Sequence, residues 1–418
     1  MSLLPLTPTL PHRDGFRMQG RGRVPDRFSS AAEPGEPAAR ADPLRIIRLR
    51  GNGGGGDTPA MPTGSRADTM DHITASLDRL HRERDFSGTV LITRGGETVL
   101  ETHRGVADRA SGVPIGPRTR FGLASVTKAF TAVAVLSLLP DHLRTLDIPL
   151  ERLLPAHLRP VDLHPEVTVR HLLTHTSGVA DYFDEETATE DWVAEFAALW
   201  SDRPVYRMTR PADFLPLFAG LPPHDPPGRR YHYCNAGYIL LGLVLEQLTG
   251  TDYRRAVTER VFVPAGMRDA GFPAADEILP DLATGHLRPR GPGESWRSNV
   301  FAIPAVGGPD GGAFATAADL DRFLTAYAEG RLLAPDRLAE ALRPAARIDG
   351  DSAMGHGVYL VGEGPTRSFG AVGADPGVEA IIRRYPDPGI NTVILANVND
   401  SVWEIDALVR EAVSAGTV

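Results

Sequence analysis

A hydroxyl and an amine three residues apart are the first chemistry the sequence offers. Lys128 is the only lysine among 44 basic residues; the rest are arginine. Arginine keeps its proton at any pH a protein survives, whereas a desolvated lysine can lose it. A lysine kept in such a chain therefore points to a titratable amine. Ser125 stands three residues upstream in FGLASVTK, which runs on into AFTAVAVLSLL. That run, rich in Ala, Val and Leu and free of Gly and Pro, predicts a buried helix opening near Ser125. Residues i and i+3 share a helix face, so hydroxyl and amine lie side by side. The unpaired N–H groups and positive dipole end of a helix start favour an alkoxide-like nucleophile and a developing oxyanion. The same residues also read as a Ser N-cap followed by an exposed Lys in the first turn.

A second polar cluster stands in PGRRYHYCNAGY. Tyr233 and Asn235 are two apart just before a helical pattern, so in an extended segment both point to one side. A positive charge beside a tyrosine favours the phenolate, which would let Tyr233 serve as base toward Ser125. The alternative is a pair of loop residues, with Asn235 an ordinary N-cap. Cys234 is the single cysteine, which excludes an internal disulfide, and it reads as an inert buried residue. His171 and His175 are i, i+4, but the second falls where its helix should end and no Glu lies between them. No metal and no cofactor are expected. The acidic run Asp181–Glu186 reads as a solvated rim that disfavours anionic substrates.

The elements that must position these groups follow from composition and pattern. Of the 418 residues, 42% are hydrophobic and 23% charged, ordinary values for a soluble globular chain. A net charge of −9 without a basic stripe argues against nucleic acid as a partner. No apolar run is long enough to span a membrane, and the Pro-rich start lacks the form of a secretion signal; a cytoplasmic protein is expected. Residues 1–69, rich in Pro, Gly and Arg, read as a disordered tail, with Met70 a possible true start. From 70 to 418 one domain is expected. Its α/β lobe takes about 70–140 and 300–418, and an all-helical lobe about 141–299. A helix from Met70 leads into the hairpin SGTVLITRGGETVLETHRG, which turns at Gly95-Gly96. NAGYILLGLVLEQLTG predicts a helix closed by Gly250. Strands are expected at 358–361, 377–382 and 392–396, with a final helix from about 401. The fold class is therefore α/β in the α+β sense: an antiparallel sheet built from both termini, flanked by helices, with the cleft at the lobe junction.

Ser125-x-x-Lys128 and Tyr233-x-Asn235, together with RHLLTHTSGV, VFVPAGM and PDGGAFATAADLDRF, resemble the serine β-lactamase and penicillin-binding-protein family over about 85–415. The likeness is to its class C β-lactamase-like branch, which includes family VIII esterases and D-aminopeptidases. The resemblance implies an acyl-enzyme mechanism: Ser125 attacks a carbonyl, and Lys128 and Tyr233 move its proton, with the choice of base left open. Asn235 would bond Lys128 and the substrate's acyl side. The Ser125 N–H would be one oxyanion donor. The family's third element, Lys-Thr-Gly or His-x-Gly, is matched best by GAVGADPG, with Gly373 in place and Ala371 where the basic residue belongs. That leaves Ala374 N–H as the second donor and removes the anchor for a substrate carboxylate. Arg383 and Arg384 on the next strand offer a replacement charge, or at least one of them is a solvated strand residue. His175 is expected to fix its loop by hydrogen bonds. The function implied is a serine hydrolase acting on a small neutral ester. The alternatives are a D-amino-acid amidase, peptidase or β-lactamase, an acyltransferase, or a catalytically silent ligand-binding module. The only partner implied is a small ester or amide substrate, and the sequence specifies no oligomeric state.

Overall fold

The computed structural model describes residues 65–139 and 146–418; the predicted tail lies outside them up to residue 64. Helix α1 (Arg66–Arg84) starts at Arg66 rather than at Met70. The Ser65 hydroxyl accepts from Asp68 N–H and the Asp68 carboxylate accepts from Ser65 N–H, a capping box that satisfies two donors at the helix start. Met70, Ile73, Leu77 and Leu80 follow at helical spacing and form its buried face.

Strands β1 (Gly88–Arg94) and β2 (Glu97–Arg104) form the expected hairpin. Gly95 and Gly96 turn it with φ of 59° and 86°, the positive values a two-residue hairpin turn requires. The sheet is completed by β3 (Ala346–Asp349), β4 (Ser352–Met354), β5 (Tyr359–Val361), β6 (Ser368–Asp375), β7 (Val378–Tyr385) and β8 (Ile390–Ala396). The eight strands run antiparallel in the order β2-β1-β8-β7-β6-β5-β4-β3. β1 pairs with β8 from Gly88↔Ala396 to Arg94↔Ile390, so both ends of the fold share one sheet, as expected. The edge hairpin β3–β4 was not foreseen; its short strands are only partly buried and carry little alternation.

Successive strand residues face opposite sides, and both sides are covered. Leu91, Ile382, Val393 and Leu395 share a core with α2 (Thr127–Leu138), α3 (Asn235–Thr249) and α4 (Ala317–Ala328). Val90, Ile92, Ile381 and Ile394 pack on the other side against α1 and α5 (Val402–Ser414). Each such apolar side chain contributes about 1.5–3 kcal/mol by leaving water. α2 and α3 are buried almost all round, which is why their sequences are nearly continuous apolar runs. Gly250, φ 66°, ends α3 as predicted. The stretch between α2 and residue 299 is not all helix. It holds α3, short helical turns, and a pairing of His286–Leu287 with Arg297–Ser298. Prolines such as Pro204, Pro211, Pro226 and Pro227 interrupt longer helices there. Among the described residues no helix is long and apolar enough to cross a membrane.

Candidate active site

The chain reaches Ser125 through a strained corner. Phe121–Gly122 pairs with Phe314–Ala315, and a 3₁₀ turn at Ala124–Val126 follows. Ala124 has φ +45°, a left-handed conformation that costs a non-glycine residue about 1 kcal/mol or more. Its carbonyl is held by Thr127 Oγ1 (2.8 Å) and Gly312 N–H (3.3 Å). Ser125 thus sits in the turn just before α2 and does not cap it; the N-cap is Val126, without a side-chain bond. Lys128, in the first turn of α2, is 4% exposed, which rules out the solvated-lysine reading.

Lys128 Nζ donates toward Ser125 Oγ (2.9 Å), Asn235 Oδ1 (2.8 Å) and the Asp310 carbonyl (2.5 Å). Burial holds the ammonium below its ordinary pKa, opposed by the carboxylates of Asp310, Glu185, Asp181 and Asp375. Tyr233 lies beside it, with Nζ 4.9 Å from the ring centroid. The expectation that a nearby ammonium makes Tyr233 a phenolate is corrected. Burial pushes the phenol well above its usual value, Glu185 and Tyr359 push it further, and only the hydrogen bond with Ser125 pulls it back. The surroundings of Tyr233 thus favour its neutral phenol over a phenolate. Asn235 is the first residue of α3, not its cap. Cys234 caps the helix, its Sγ accepting from Gly237 N–H at 3.2 Å, and burial keeps its thiol protonated.

His175 fixes its loop, as expected. Nδ1 accepts from Cys234 N–H (3.0 Å), its carbonyl accepts from His232 N–H (2.8 Å), and its ring stacks on Tyr233 at 4.4 Å. Two further carboxylates went unrecognised in the sequence. Asp181 accepts from the N-terminal N–H groups of α3, and Asp310 accepts from the Tyr182 hydroxyl while its carbonyl meets Lys128. Asp181 is 6% exposed, so the acidic run is not a solvated rim at that end. Asp184 bonds His232, and Glu186 bonds Arg230.

Gly373 lies directly against the Ser125 turn. A Cβ there would meet the Leu123 carbonyl at 2.3 Å, Ser125 N at 2.8 Å and Val126 N at 2.9 Å, so only glycine lets β6 approach this closely. β5 pairs with β6 only at Ser368–Gly370, which leaves the edge from Ala371 onward without a β5 partner. Ser125, Tyr233, Asn235, Gly373 and Ala374 all line one cavity of about 440 Å³. Ala371 is buried in the core with Phe369 and does not line it. Arg383 and Arg384 do not replace the missing charge, since neither lines the cavity; Arg383 is buried and Arg384 half-buried. Arg383 is buried in a two-point ion pair with Asp406 of α5 (2.8 and 2.8 Å), and Arg384 bonds Asn391. The cavity wall carries the carboxylates Glu185, Asp310 and Asp375 and no Arg, Lys or His among the described residues.

Asp184, His224 and His232 place one metal-capable atom each within 4.8 Å of one another. Arg230 donates to His232 Nδ1 (2.9 Å), which leaves the proton on Nε2, donated to Asp184 (3.1 Å). Both ring nitrogens of His232 are thus engaged in an ion-pair network with Arg230 and Asp184.

The sequence profile of the beta-lactamase family matches residues 73–415. Esterase EstB of Burkholderia gladioli is 33% identical over 297 residues, 65% of this chain and 73% of that protein. Penicillin-binding protein 4* of Bacillus subtilis (strain 168) is 25% identical over 354 residues, 82% of this chain and 74% of its own. Among solved structures, a penicillin binding protein from Bacillus halodurans superimposes with a TM-score of 0.73 at 36% identity, over 80% of this chain and 98% of that one. With a family match across nearly the whole described fold, the chain belongs to the beta-lactamase family and is a serine hydrolase.

Proposed function

We propose that this hydrolase cleaves a small neutral ester through a covalent acyl-Ser125. The observation that carries the reading is Lys128 Nζ 2.9 Å from Ser125 Oγ, buried and depressed in pKa, beside a cavity that the hydroxyl lines. As a neutral amine, Lys128 takes the Ser125 proton while the oxygen bonds to the ester carbonyl carbon. Ser125 N–H and Ala374 N–H receive the oxyanion. When the carbon–oxygen bond to the alcohol breaks, the Tyr233 phenol gives its proton to the leaving oxygen and regains one from Lys128. Water, activated by the same groups, then releases the acid. Raised by burial, Tyr233 suits this relay better than the role of base, and Lys128 is the base.

A neutral substrate is supported by the cavity wall, which has carboxylates and no cationic side chain among the described residues. EstB, named an esterase, agrees with the reaction class. The test is turnover of p-nitrophenyl acetate against nitrocefin, with intact-mass detection of a fluorophosphonate adduct on Ser125. Ester turnover with the adduct is expected. Nitrocefin turnover well above ester turnover would replace the ester by a β-lactam, and an unlabelled, inactive protein would remove Ser125 as nucleophile.

A further inference from the structure

The first two N–H groups of α3 would be left without partners inside the helix. Asp181 takes both: Oδ2 accepts from Asn235 N–H (2.6 Å) and Oδ1 from Ala236 N–H (3.0 Å). Oδ2 also accepts from the Asn235 side-chain NH₂ (3.1 Å), and Oδ1 from Tyr182 N–H (2.8 Å). A carboxamide can sit in a given pocket in two ways, with oxygen and nitrogen exchanged. A carboxylate only accepts, so it fixes the choice: the Asn235 nitrogen faces Asp181 and the oxygen faces Lys128 at 2.8 Å.

We infer that Asp181 is a positioning residue, which locks the Asn235 amide so that its oxygen meets Lys128 and the amine's lone pair is left on Ser125. A neutral amine has two N–H bonds and one lone pair. Of its three neighbours, the Asn235 oxygen and the Asp310 carbonyl can only accept, so they take the two N–H bonds. The Ser125 hydroxyl can donate, and the lone pair therefore points at it. With the amide reversed, an N–H would face Lys128, draw the lone pair away from Ser125 and leave an amine N–H in its place. The lock has a cost that the fold carries. Burial pushes the Asp181 carboxyl up to about 7, held down by Asn235 and Ala236 N–H and by Lys128, and raised by Glu185. A carboxyl kept in so unfavourable a place, where a neutral cap would serve the helix alone, fits a task beyond capping.

This inference rests on the Ser125–Lys128 reading, and its test separates the two. The rate of fluorophosphonate labelling of Ser125, which needs no knowledge of the substrate, is measured for the wild type, Asp181→Ala, Asn235→Ala and the double variant. Expected is a loss of at least about 30-fold for each single variant, and a double variant within about threefold of Asn235→Ala, because Asp181 acts only through Asn235. A merely structural cap predicts losses that multiply. Multiplying losses, or wild-type labelling in Asp181→Ala, would overturn the inference while leaving Ser125 as nucleophile. A wild type that does not label would instead overturn the parent reading. If Asp181→Ala does not fold, Asp181→Asn takes its place in the same cycle. It is nearly isosteric, but its one oxygen cannot accept at both positions, so a loss of at least about tenfold is expected in the native background and within threefold in the Asn235→Ala background. Equal losses in the two backgrounds would overturn the inference.

Discussion

Gly373→Ala tests whether β6 supplies the second oxyanion donor. The added Cβ would lie 2.3 Å from the Leu123 carbonyl, against 3.4 Å for ordinary contact, so strand and turn must part by about 1 Å. The same atom would stand 2.8 Å from Ser125 N, so the parting opens the gap between Ser125 N–H and Ala374 N–H. Both are backbone atoms, the Leu123 carbonyl accepting from Val126 N–H, and neither can swing aside as a side chain would. A misplacement of about 1 Å costs roughly 10²-fold, and loss of one oxyanion donor elsewhere costs about 3–4 kcal/mol. The expected result is a fall in kcat for p-nitrophenyl acetate of about 10²- to 10³-fold with KM changed far less. The interaction forms mainly in the transition state, so it belongs to kcat. Thermal melts should show the variant folded. A folded Gly373→Ala variant within threefold of wild-type kcat would refute the assignment of β6 to the oxyanion site.

Four other outcomes follow from the geometry. Lys128→Arg keeps the charge and removes the labile proton, so hydrolysis should fall by at least about 10²-fold, and full activity would take the amine out of the proton path. Because burial depresses Lys128, the wild-type rate should climb with pH as the amine forms and level off below 10.5; a rate that falls with rising pH would contradict its role as base. His356 is 1% exposed, donates through Nδ1 to the Glu340 carbonyl and accepts from Arg170, and burial with Arg170 brings it from 6.5 to about 4. The unfolded chain therefore binds more protons between pH 6.5 and 4, and stability falls as pH drops through that window. His356→Gln should lose about 3 kcal/mol less than the wild type over it, read from urea unfolding; equal acid slopes would argue against it. Asp406→Ala strands the buried Arg383 guanidinium and should cost about 3–5 kcal/mol in the same assay, with Ser125 labelling of the folded protein unchanged.

What could be read from the sequence was set by local geometry. The three-residue spacing of Ser125 and Lys128 survives any tertiary detail, because one helical turn fixes it. The apolar run of α3 and its closing Gly250 were equally plain, and so were the buried strands β7 and β8. Contacts made through the backbone or by distant partners were not legible. The Asp310 carbonyl has no residue type to betray it, and Asp181 acts by where its loop crosses the start of α3. The upward push on the Tyr233 phenol was not legible, because a sequence shows neighbours but not desolvation. Arg383 was misplaced because its partner comes from α5, on the face of the sheet away from the cleft. The terminal extent of α1 was missed for a smaller reason: Ser65 and Asp68 carry a cap signal inside a stretch whose composition reads as tail.

The pairing of β1 with β8 also dictates when the enzyme can come into being. A nascent chain makes α2 long before Asp310, β6 or β8 exists, so its apolar surface has no sheet to rest on during most of synthesis. Closure of so long a loop is slow, and the exposed intermediate is prone to aggregate. Ribosome-bound chains halted before β6 should be inert however complete their Ser125 segment, and release of soluble product should depend on folding helpers that shelter α2 until the late strands arrive.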